Sequence, residues 1–358
     1  MPSLPAWALC LGLPLIPLEV AHSEVAEPGV LFSERAPLAY RSLLIGIAAA
    51  GERLVAVGER GHVLLSDDQG RTWVQADSVP TQALLTGVCF IDPRRGIVVG
   101  HDEVILITQD AGRTWKRTHY APQAQQPLLD VACNPGGRAI AVGAYSAYLV
   151  SEDGGANWAE PKFAARPLPT LPTAVAPSRS SAAKSGAALA PDAIRGGYHL
   201  NRIVAASPSR LYIAAEAGHL YRSDDGGGSW VELPSPYQGS FFGVLPLAGD
   251  ALLAYGLRGN LFGSQDAGRS WRRIETGTVA MLDGAATLGD AAVAVVGLSG
   301  VVLVSHDGGQ SFALQQQDDR KGLSATLAPS ADTLVTAGEA GIKLIQLKGT
   351  PAVVKGAP

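Results

Sequence analysis

The octapeptide Ser66-Asp67-Asp68-Gln69-Gly70-Arg71-Thr72-Trp73 decides the fold of this 358-residue chain, because it recurs with small changes five more times. The shared pattern is Ser/Thr-x-Asp-x-Gly-x-Thr/Ser-Trp. The other copies occupy residues 108–115, 151–158, 223–230, 264–271 and 305–312. Six copies in one chain are an internal repeat, and the repeat period sets the architecture.

The spacing of the repeat, which is the Asp-box motif, predicts a β-propeller. The aromatic residues that end successive copies are separated by 42, 43, 72, 41 and 41 residues, so the long interval is one period plus an insertion. Around each box an apolar strand such as 87–91, a turn and a second strand such as 97–99 precede a third strand, and a short fourth strand follows. Four strands in 40–45 residues are typical of a propeller blade.

The ends of the repeat predict seven blades. Residues 323–347 repeat the first three strands and then stop without a box. Phe32 lies 41 residues before Trp73, so we expect residues 30–33 to supply the missing fourth strand of the last blade. The predicted fold is therefore an all-β, seven-bladed β-propeller of four-stranded blades over residues 29–348, closed by an N-terminal strand that removes the open sheet edges.

Three further segments are expected outside the blades. Residues 1–23 resemble a secretory signal peptide: the apolar stretch 4–18 is too short to span a bilayer, and Ala21-His22-Ser23 fits a cleavage site. No Lys or Arg precedes that stretch, so the signal is atypical or the true start lies elsewhere. We expect export to the periplasm or an equivalent extracytoplasmic or lumenal compartment.

The other two segments are predicted to be disordered. Residues 164–197, between blades 3 and 4, are rich in Pro, Ala and Ser, which favours a flexible insertion, with a partner-binding arm as the alternative. Residues 349–358 are predicted to form a disordered tail.

Composition excludes several classes of protein. With 28 Lys and Arg against 32 Asp and Glu, the net charge of −4 argues against a nucleic-acid partner. Three cysteines exclude a disulfide scaffold. Cys89 and Cys133 fall on the first strands of adjacent blades in registers of opposite parity. We therefore interpret them as buried small hydrophobic residues, with a disulfide as the less favoured alternative.

The Asp-box residues are predicted to be structural. The Asp accepts N–H groups of its own turn, the Gly supplies a positive φ, and the aromatic residue packs on the blade. These residues are Asp68, Asp110, Asp153, Asp225, Asp266, Asp307, Trp73, Trp115, Trp158, Trp230, Trp271 and Phe312. No His or Cys spacing indicates a metal, no phosphate loop or nucleophile elbow occurs, and we predict no cofactor and no catalytic residue.

A binding surface is predicted on the opposite face of the propeller. The connections between blades and the turns between second and third strands surround one mouth, and Arg and aromatic residues there have the composition of a protein-binding surface. The residues chosen for this rim are Arg41, Arg60, Tyr120, Tyr145, Arg202, Phe241, Arg258 and Arg320.

The sequence resembles the photosystem II assembly and stability factor family. The run 87–100, followed by a short turn and an Asp-box, carries the resemblance, which extends over nearly the whole chain after residues 1–23. The resemblance implies a non-catalytic, exported propeller that binds a membrane protein or membrane-protein complex and acts as a scaffold for its assembly or stabilisation. The family also has bacterial members outside photosynthesis, so the partner could be a photosystem-like complex or an envelope transporter. We expect a monomer.

The alternative is a glycoside hydrolase of sialidase or xyloglucanase type, or a carbohydrate-binding propeller, since Asp-boxes occur in those proteins too. A sialidase would need three convergent Arg and a Tyr nucleophile. The Phe/Tyr-Arg-Ile-Pro motif that opens such domains is absent, and the xyloglucan enzymes use two propellers where this chain has one.

Overall fold

The computed structural model describes residues 29–168, 197–289 and 292–347, and its large compact unit begins at Leu31. The signal peptide, most of the insertion and the tail predicted above lie outside the described residues and stay predictions. The described part contains 27 strands and several 3-10 turns. None of its helices is long and apolar enough to cross a membrane.

The strands form seven sheets in chain order, which confirms the seven-bladed β-propeller. Blade 1 contains β1 (Leu44–Ala50), β2 (Arg53–Gly58), β3 (Val63–Ser66) and β4 (Val74–Gln75). Blade 2 contains β5 (Leu85–Phe90), β6 (Gly96–Gly100), β7 (Ile105–Thr108) and β8 (Lys116–His119). Blade 3 contains β9 (Leu128–Cys133), β10 (Ala139–Gly143) and β11 (Tyr148–Ser151). Blades 4 and 5 contain β12 (Ala165–Pro167), β13 (Leu200–Ala205), β14 (Leu211–Ala215), β15 (Leu220–Ser223) and β16 (Trp230–Glu232); and β17 (Phe241–Pro246), β18 (Leu252–Gly256), β19 (Leu261–Ser264) and β20 (Arg272–Ile274). Blades 6 and 7 contain β21 (Leu282–Leu288), β22 (Ala292–Gly297), β23 (Val301–Ser305) and β24 (Ala313–Gln316); and β25 (Leu323–Ser330), β26 (Thr333–Gly338) and β27 (Gly341–Gln346).

The core consists of seven apolar clusters, each between two neighbouring blades. Between blades 1 and 2, for example, Val55 and Leu65 pack against Val98 and Leu106. Second strands such as β6 are buried along their whole length because both faces are covered, which explains their unbroken apolar sequence. Burying each such Val or Leu contributes about 1.5–3 kcal/mol, so face-to-face packing of the blades supplies much of the stability.

The predicted closure by residues 30–33 is not confirmed. These residues form no strand, and within the described residues the sheet of blade 7 has only β25, β26 and β27. The segment contacts blade 1 instead, where the Ser33 N–H donates to the Val79 carbonyl at 2.9 Å and the Gln75 amide donates to the Glu34 carbonyl at 2.7 Å. Blades 7 and 1 still meet through one apolar cluster, which closes the ring by packing. Its buried residues are Ala39, Leu44, Ala56, Leu64, Ala325 and Ala337.

The two blades beside the insertion depart from four strands, as blade 7 does. Blade 3 has three strands, and its fourth strand is reduced to a single bridge between Val150 and Ala159. The chain then crosses to blade 4, where β12 pairs in parallel with β16 and makes a five-stranded sheet. Residues 165–167 are therefore a strand and not part of the predicted disordered insertion, because β16 offers them an open sheet edge.

Cys89 and Cys133 form a disulfide between blades 2 and 3, with their Cα atoms 5.6 Å apart. The interpretation of these residues as unpaired hydrophobic residues is therefore wrong. Cys89 pairs across its sheet with Ile97. The equivalent of Ile97 in blade 3 is Ile140, but Cys133 pairs with the preceding residue, Ala139. The opposite parity noted in the sequence is thus real. It favours the bond, because neighbouring blades face each other through opposite sides of equivalent strands.

Candidate functional site

The Asp-boxes lie at the β3–β4 turns and their equivalents, on the face that we call the lower face. In the first box one carboxylate oxygen of Asp68 accepts the Thr72 N–H at 2.8 Å, and the other accepts the Thr72 hydroxyl at 2.7 Å. The Ser66 hydroxyl donates to Asp68 and accepts the Gly70 N–H, each at 2.8 Å. The Thr72 N–H and hydroxyl are the main groups that lower the pKa of Asp68 to about 2. The side chains of Ser66, Asp68 and Thr72 therefore serve their own turn, whereas the Asp67 carboxylate accepts hydrogen bonds from Arg53 of β2.

The opposite, upper face carries the turns between second and third strands, and each presents one residue outward. In six blades this residue has a left-handed backbone: Arg60, Asp102, Tyr145, Ala217, Arg258 and Ser299. The next residue is usually a glycine that passes under the connection between blades. A Cβ on Gly61 would lie 2.1 Å from the Thr81 carbonyl oxygen, and one on Gly259 would lie 2.0 Å from that of Thr278. This close approach locks the turn, so the residue before the glycine must point to solvent.

Four of the predicted rim residues form one cationic arc, defined as Arg258, Arg320, Arg41 and Arg60. They follow one another around the ring from blade 5 through blades 6 and 7 to blade 1, and all four are exposed. Within the described residues none of them has an ion pair, while the Arg41 guanidinium lies 5.5 Å from the Tyr40 ring centre.

Three of the four acidic groups beside the cationic arc are already engaged, and the exposed Asp318 is the exception among the described residues. The Glu59 carboxylate accepts the Leu43 N–H at 3.3 Å, and Glu339 pairs with Lys321 at 2.7 Å. Asp319 pairs with Lys343. The four arginines outnumber the one unpaired carboxylate there, that of Asp318, so this region offers a net positive charge to a partner.

The remaining exposed rim residues, Tyr120 and Tyr145, form an aromatic arc on the blade 2–3 side. Tyr120 is 45% exposed and Tyr145 is 42% exposed. The Arg117 guanidinium stacks over Tyr120 at 4.5 Å, and His199 meets Tyr145 edge-on at 4.9 Å between ring centres. Such contacts hold the rings in place while leaving one face of each open.

Two predicted rim residues do not lie on the rim. Phe241 is fully buried, because it begins the inner strand of blade 5 and points between blades, where its ring packs against Tyr237 and Phe262. Its equivalents in the other six blades are all buried leucines: Leu44, Leu85, Leu128, Leu200, Leu282 and Leu323. Aligning the repeats at this position would have identified it as a core residue. Arg202 lies deeper, on the wall of the central channel.

The sequence reasoning missed a polar cluster in that channel, composed of Asp130, Arg202, Tyr255 and Asp283. Each inner strand begins with a bulge, and at the position after it most blades have a small residue. Blades 3 and 4 have Asp130 and Arg202 there instead. The absence of a side chain on Gly243 lets the Tyr255 ring through, since a Cβ there would lie 2.2 Å from the phenol oxygen. An alignment of the repeats at this position would have shown Asp130 and Arg202 as the two charged residues among small ones, and this was the signal available in the sequence.

The electrostatics of the channel cluster are dominated by burial. Burial raises the pKa of Asp283 to about 6, although the nearby Arg202 charge lowers it in part. Burial also raises the pKa of Asp130, which accepts the Ile203 N–H at 3.0 Å. The Nε of Arg202 is buried without a hydrogen-bond partner. The described residues include no group of three side chains arranged to hold a metal ion.

The fold and the repeated box define the class of protein: a single seven-bladed Asp-box propeller with a cationic and aromatic upper face. Within that class the resemblance suggested by the sequence is confirmed. A family model described as "Photosynthesis system II assembly factor YCF48" matches residues 75–188.

Solved structures agree with the fold. YCF48 bound to a D1 peptide superposes with a TM-score of 0.64 at 16% identity, covering 86% of this chain and 94% of that chain. YCF48 from Cyanidioschyzon merolae gives a TM-score of 0.63 at 17% identity, covering 87% and 97%. The GH74 enzyme of Niastella koreensis gives 0.61 at 13% identity, covering 86% of this chain and 53% of that enzyme. At these identities the superpositions show the fold alone. The curated proteins give no match.

Proposed function

We propose that this protein is a non-catalytic scaffold that binds a segment of a membrane protein and supports the assembly or stability of the complex to which that segment belongs. The observation that carries the proposal is the cationic arc, four exposed arginines on one half of the upper face with no ion pair among the described residues. Arginine-rich surfaces that also carry aromatic residues are typical of protein-binding sites. The family match and the YCF48 structure with a bound D1 peptide support a peptide-like partner.

The arrangement of charge suggests the mechanism of binding. An acidic segment would be attracted to the cationic arc, and its aromatic or apolar side chains would dock on the aromatic arc across the channel mouth. Because Arg60 and Arg258 stand on turns that close packing locks, their backbone requires little ordering on binding, which reduces the entropic cost. A photosystem-like complex and an envelope transporter both fit a partner of this kind.

We further propose that the protein works in an oxidising extracytoplasmic compartment, where it acts as a monomer. The Cys89–Cys133 disulfide supports this assignment, because disulfides persist in exported proteins and are rare in the reducing cytosol. The expected signal peptide at residues 1–23 agrees with it. Mass spectrometry of the protein recovered from host cell fractions would test both the compartment and the cleavage site.

The binding proposal is tested by affinity capture from detergent-solubilised host membranes, using a variant in which Arg41→Glu and Arg258→Glu reverse the cationic arc. The matched control, Arg94→Glu with Arg269→Glu, makes the same change of charge at two exposed positions of the lower face. We expect one membrane complex to be recovered by the wild-type protein and by the control but not by the arc variant. Equal recovery by all three proteins, or no enrichment by any, would reject the proposal.

One observation favours the alternative glycosidase function. The channel holds two carboxyl groups, Asp130 and Asp283, and a carboxyl group with a pKa near 6 suits a general acid. The test is hydrolysis of xyloglucan and of sialosides by the wild-type protein and by Asp283→Asn. Turnover that is lost in the variant would replace the scaffold proposal, and no turnover by the wild-type protein would remove the alternative.

A further inference from the structure

The outer wall of the propeller is incomplete at blade 3. In blade 2, Ile105, Leu106 and Ile107 all pair with the fourth strand β8. Among the equivalent residues of β11, only Val150 has an outer partner, through its single bridge to Ala159. Pro161, which has no N–H to donate, ends this pairing two residues later. The outer edge of β11 is therefore unpaired at Tyr148 within the described residues, whereas the backbone groups of Leu149 face β10.

A groove of about 900 Å³ lies beside this open edge, between blades 3 and 4. Its floor is aromatic: Phe163 packs on Tyr148 at 5.3 Å and on Trp230 at 6.0 Å between ring centres. The polar atoms of the floor are used internally, since the Tyr148 hydroxyl donates to the Gly227 carbonyl at 2.9 Å and accepts the Trp230 Nε1–H at 3.0 Å. We call this space the side groove. Its floor offers apolar surface, and the polar atoms of the floor do not need a hydrogen bond from an occupant.

The rim of the side groove carries an excess of positive charge. Lys162 and Arg166 line it, are exposed, and have no ion pair within the described residues. Arg138 is neutralised by Glu152. Glu160 is the one acidic side chain of the lining that has no partner there, so the unpaired charges give a net value of +1.

We propose that the side groove binds an extended acidic segment of a partner protein, which adds two or three residues to β11 as the missing fourth strand of blade 3. The free edge of β11 supplies backbone hydrogen bonds, the aromatic floor takes one apolar side chain, and Lys162 and Arg166 pair with carboxylates on either side of it. The new strand would run antiparallel to β11, as the fourth strands of the other blades run beside their third strands.

The proposal rests on the proposed function only in taking the partner to be a protein, and it concerns a different surface. The side groove lies on the outer wall, whereas the cationic arc lies on the upper face. A partner that uses both would be held at two points, and each point is removed by its own pair of substitutions.

The test measures binding of a fluorescein-labelled octapeptide of alternating Glu and Val to the full chain by fluorescence anisotropy. The same peptide with Lys in place of Glu is the charge control. The side-groove variant is Lys162→Glu with Arg166→Glu, compared with Arg41→Glu/Arg258→Glu on the upper face and with Arg94→Glu/Arg269→Glu on the lower face. All substituted positions are exposed, so the fold is expected to persist.

We expect the acidic peptide to bind at least about tenfold more weakly to the side-groove variant than to the other two variants, and the basic peptide not to bind. Hydrogen exchange of the wild-type protein should show slower exchange at the Tyr148 N–H when the acidic peptide is present, because that N–H points to the open edge. Equal affinity for all variants, or unchanged exchange at β11, overturns the proposal. So does concentration-dependent dimerisation that protects β11 without peptide, because a second copy would then be the occupant. Loss of binding in the upper-face variant alone would overturn this proposal and leave the proposed function standing.

Discussion

Replacing Asp283 by Asn is expected to stabilise the protein at neutral pH. The carboxyl group lies on the channel wall, and burial raises its pKa from 3.8 to about 6. It also has no hydrogen bond to the described residues. A raised pKa means that the folded state holds the proton more tightly than the unfolded chain does, so the ionised form is the one that destabilises the fold.

The size and the sign of the effect follow from these values. At about 1.4 kcal/mol per pH unit, the difference between 3.8 and about 6 corresponds to ~3 kcal/mol. The favourable contribution of the protonated group is fully present below a pH of about 4, and it is lost as the pH rises through about 6. Partial access of channel water to Asp283 reduces the penalty, so we expect Asp283→Asn to gain about 1–3 kcal/mol at pH values above about 7, and little at pH values near 4.

The assay is urea denaturation of the wild-type protein and of Asp283→Asn at several pH values between about 4 and 8. Asp318→Asn, at an exposed loop position, is the control for removal of one negative charge. The stability difference should grow with pH for Asp283→Asn, and more steeply than for Asp318→Asn. A variant less stable than wild type at neutral pH, or a difference that does not change with pH, would refute the burial of an unsatisfied carboxylate.

Two further predictions concern the fold. Cys89→Ala with Cys133→Ala should lower the free energy of unfolding by about 2–4 kcal/mol, because the bond closes a loop of 44 residues in the unfolded chain. Chemical denaturation measures this loss. An unchanged denaturation midpoint would contradict the role of the bond in holding blades 2 and 3 together. Asp266→Ala should lower the free energy of unfolding by about 1–3 kcal/mol without altering partner binding, since the carboxylate accepts the Ser270 N–H at 2.8 Å and the Ser270 hydroxyl at 2.6 Å. Thermal unfolding measures the stability, and the membrane capture assay measures the binding. Lost capture by a folded variant would assign the box a binding role.

Some features of the candidate site could be predicted from the sequence because they depend on local position in the repeat. Arg60, Tyr145 and Arg258 occupy the same turn in three different blades, and the glycine-rich sequence of that turn already indicated an exposed loop at one mouth of the propeller. Phe241 was misplaced because a strand boundary moved by one or two residues turns a loop residue into a core residue. Only comparison with the leucine of every other blade distinguishes the two assignments.

The sequence by itself determined the number of blades and the Asp-box turns. These features depend on residues close together in the chain: a Ser, an Asp and a Gly within five positions complete their own hydrogen bonds wherever the blade lies. The tertiary structure alone decided which residues meet across blades. It paired Cys89 with Cys133, gathered Asp130, Arg202, Tyr255 and Asp283 in the channel, and left β11 with an open edge beside the side groove. Such contacts depend on how each blade is rotated relative to its neighbours around the closed ring. The spacing of the repeat along the chain does not specify that rotation.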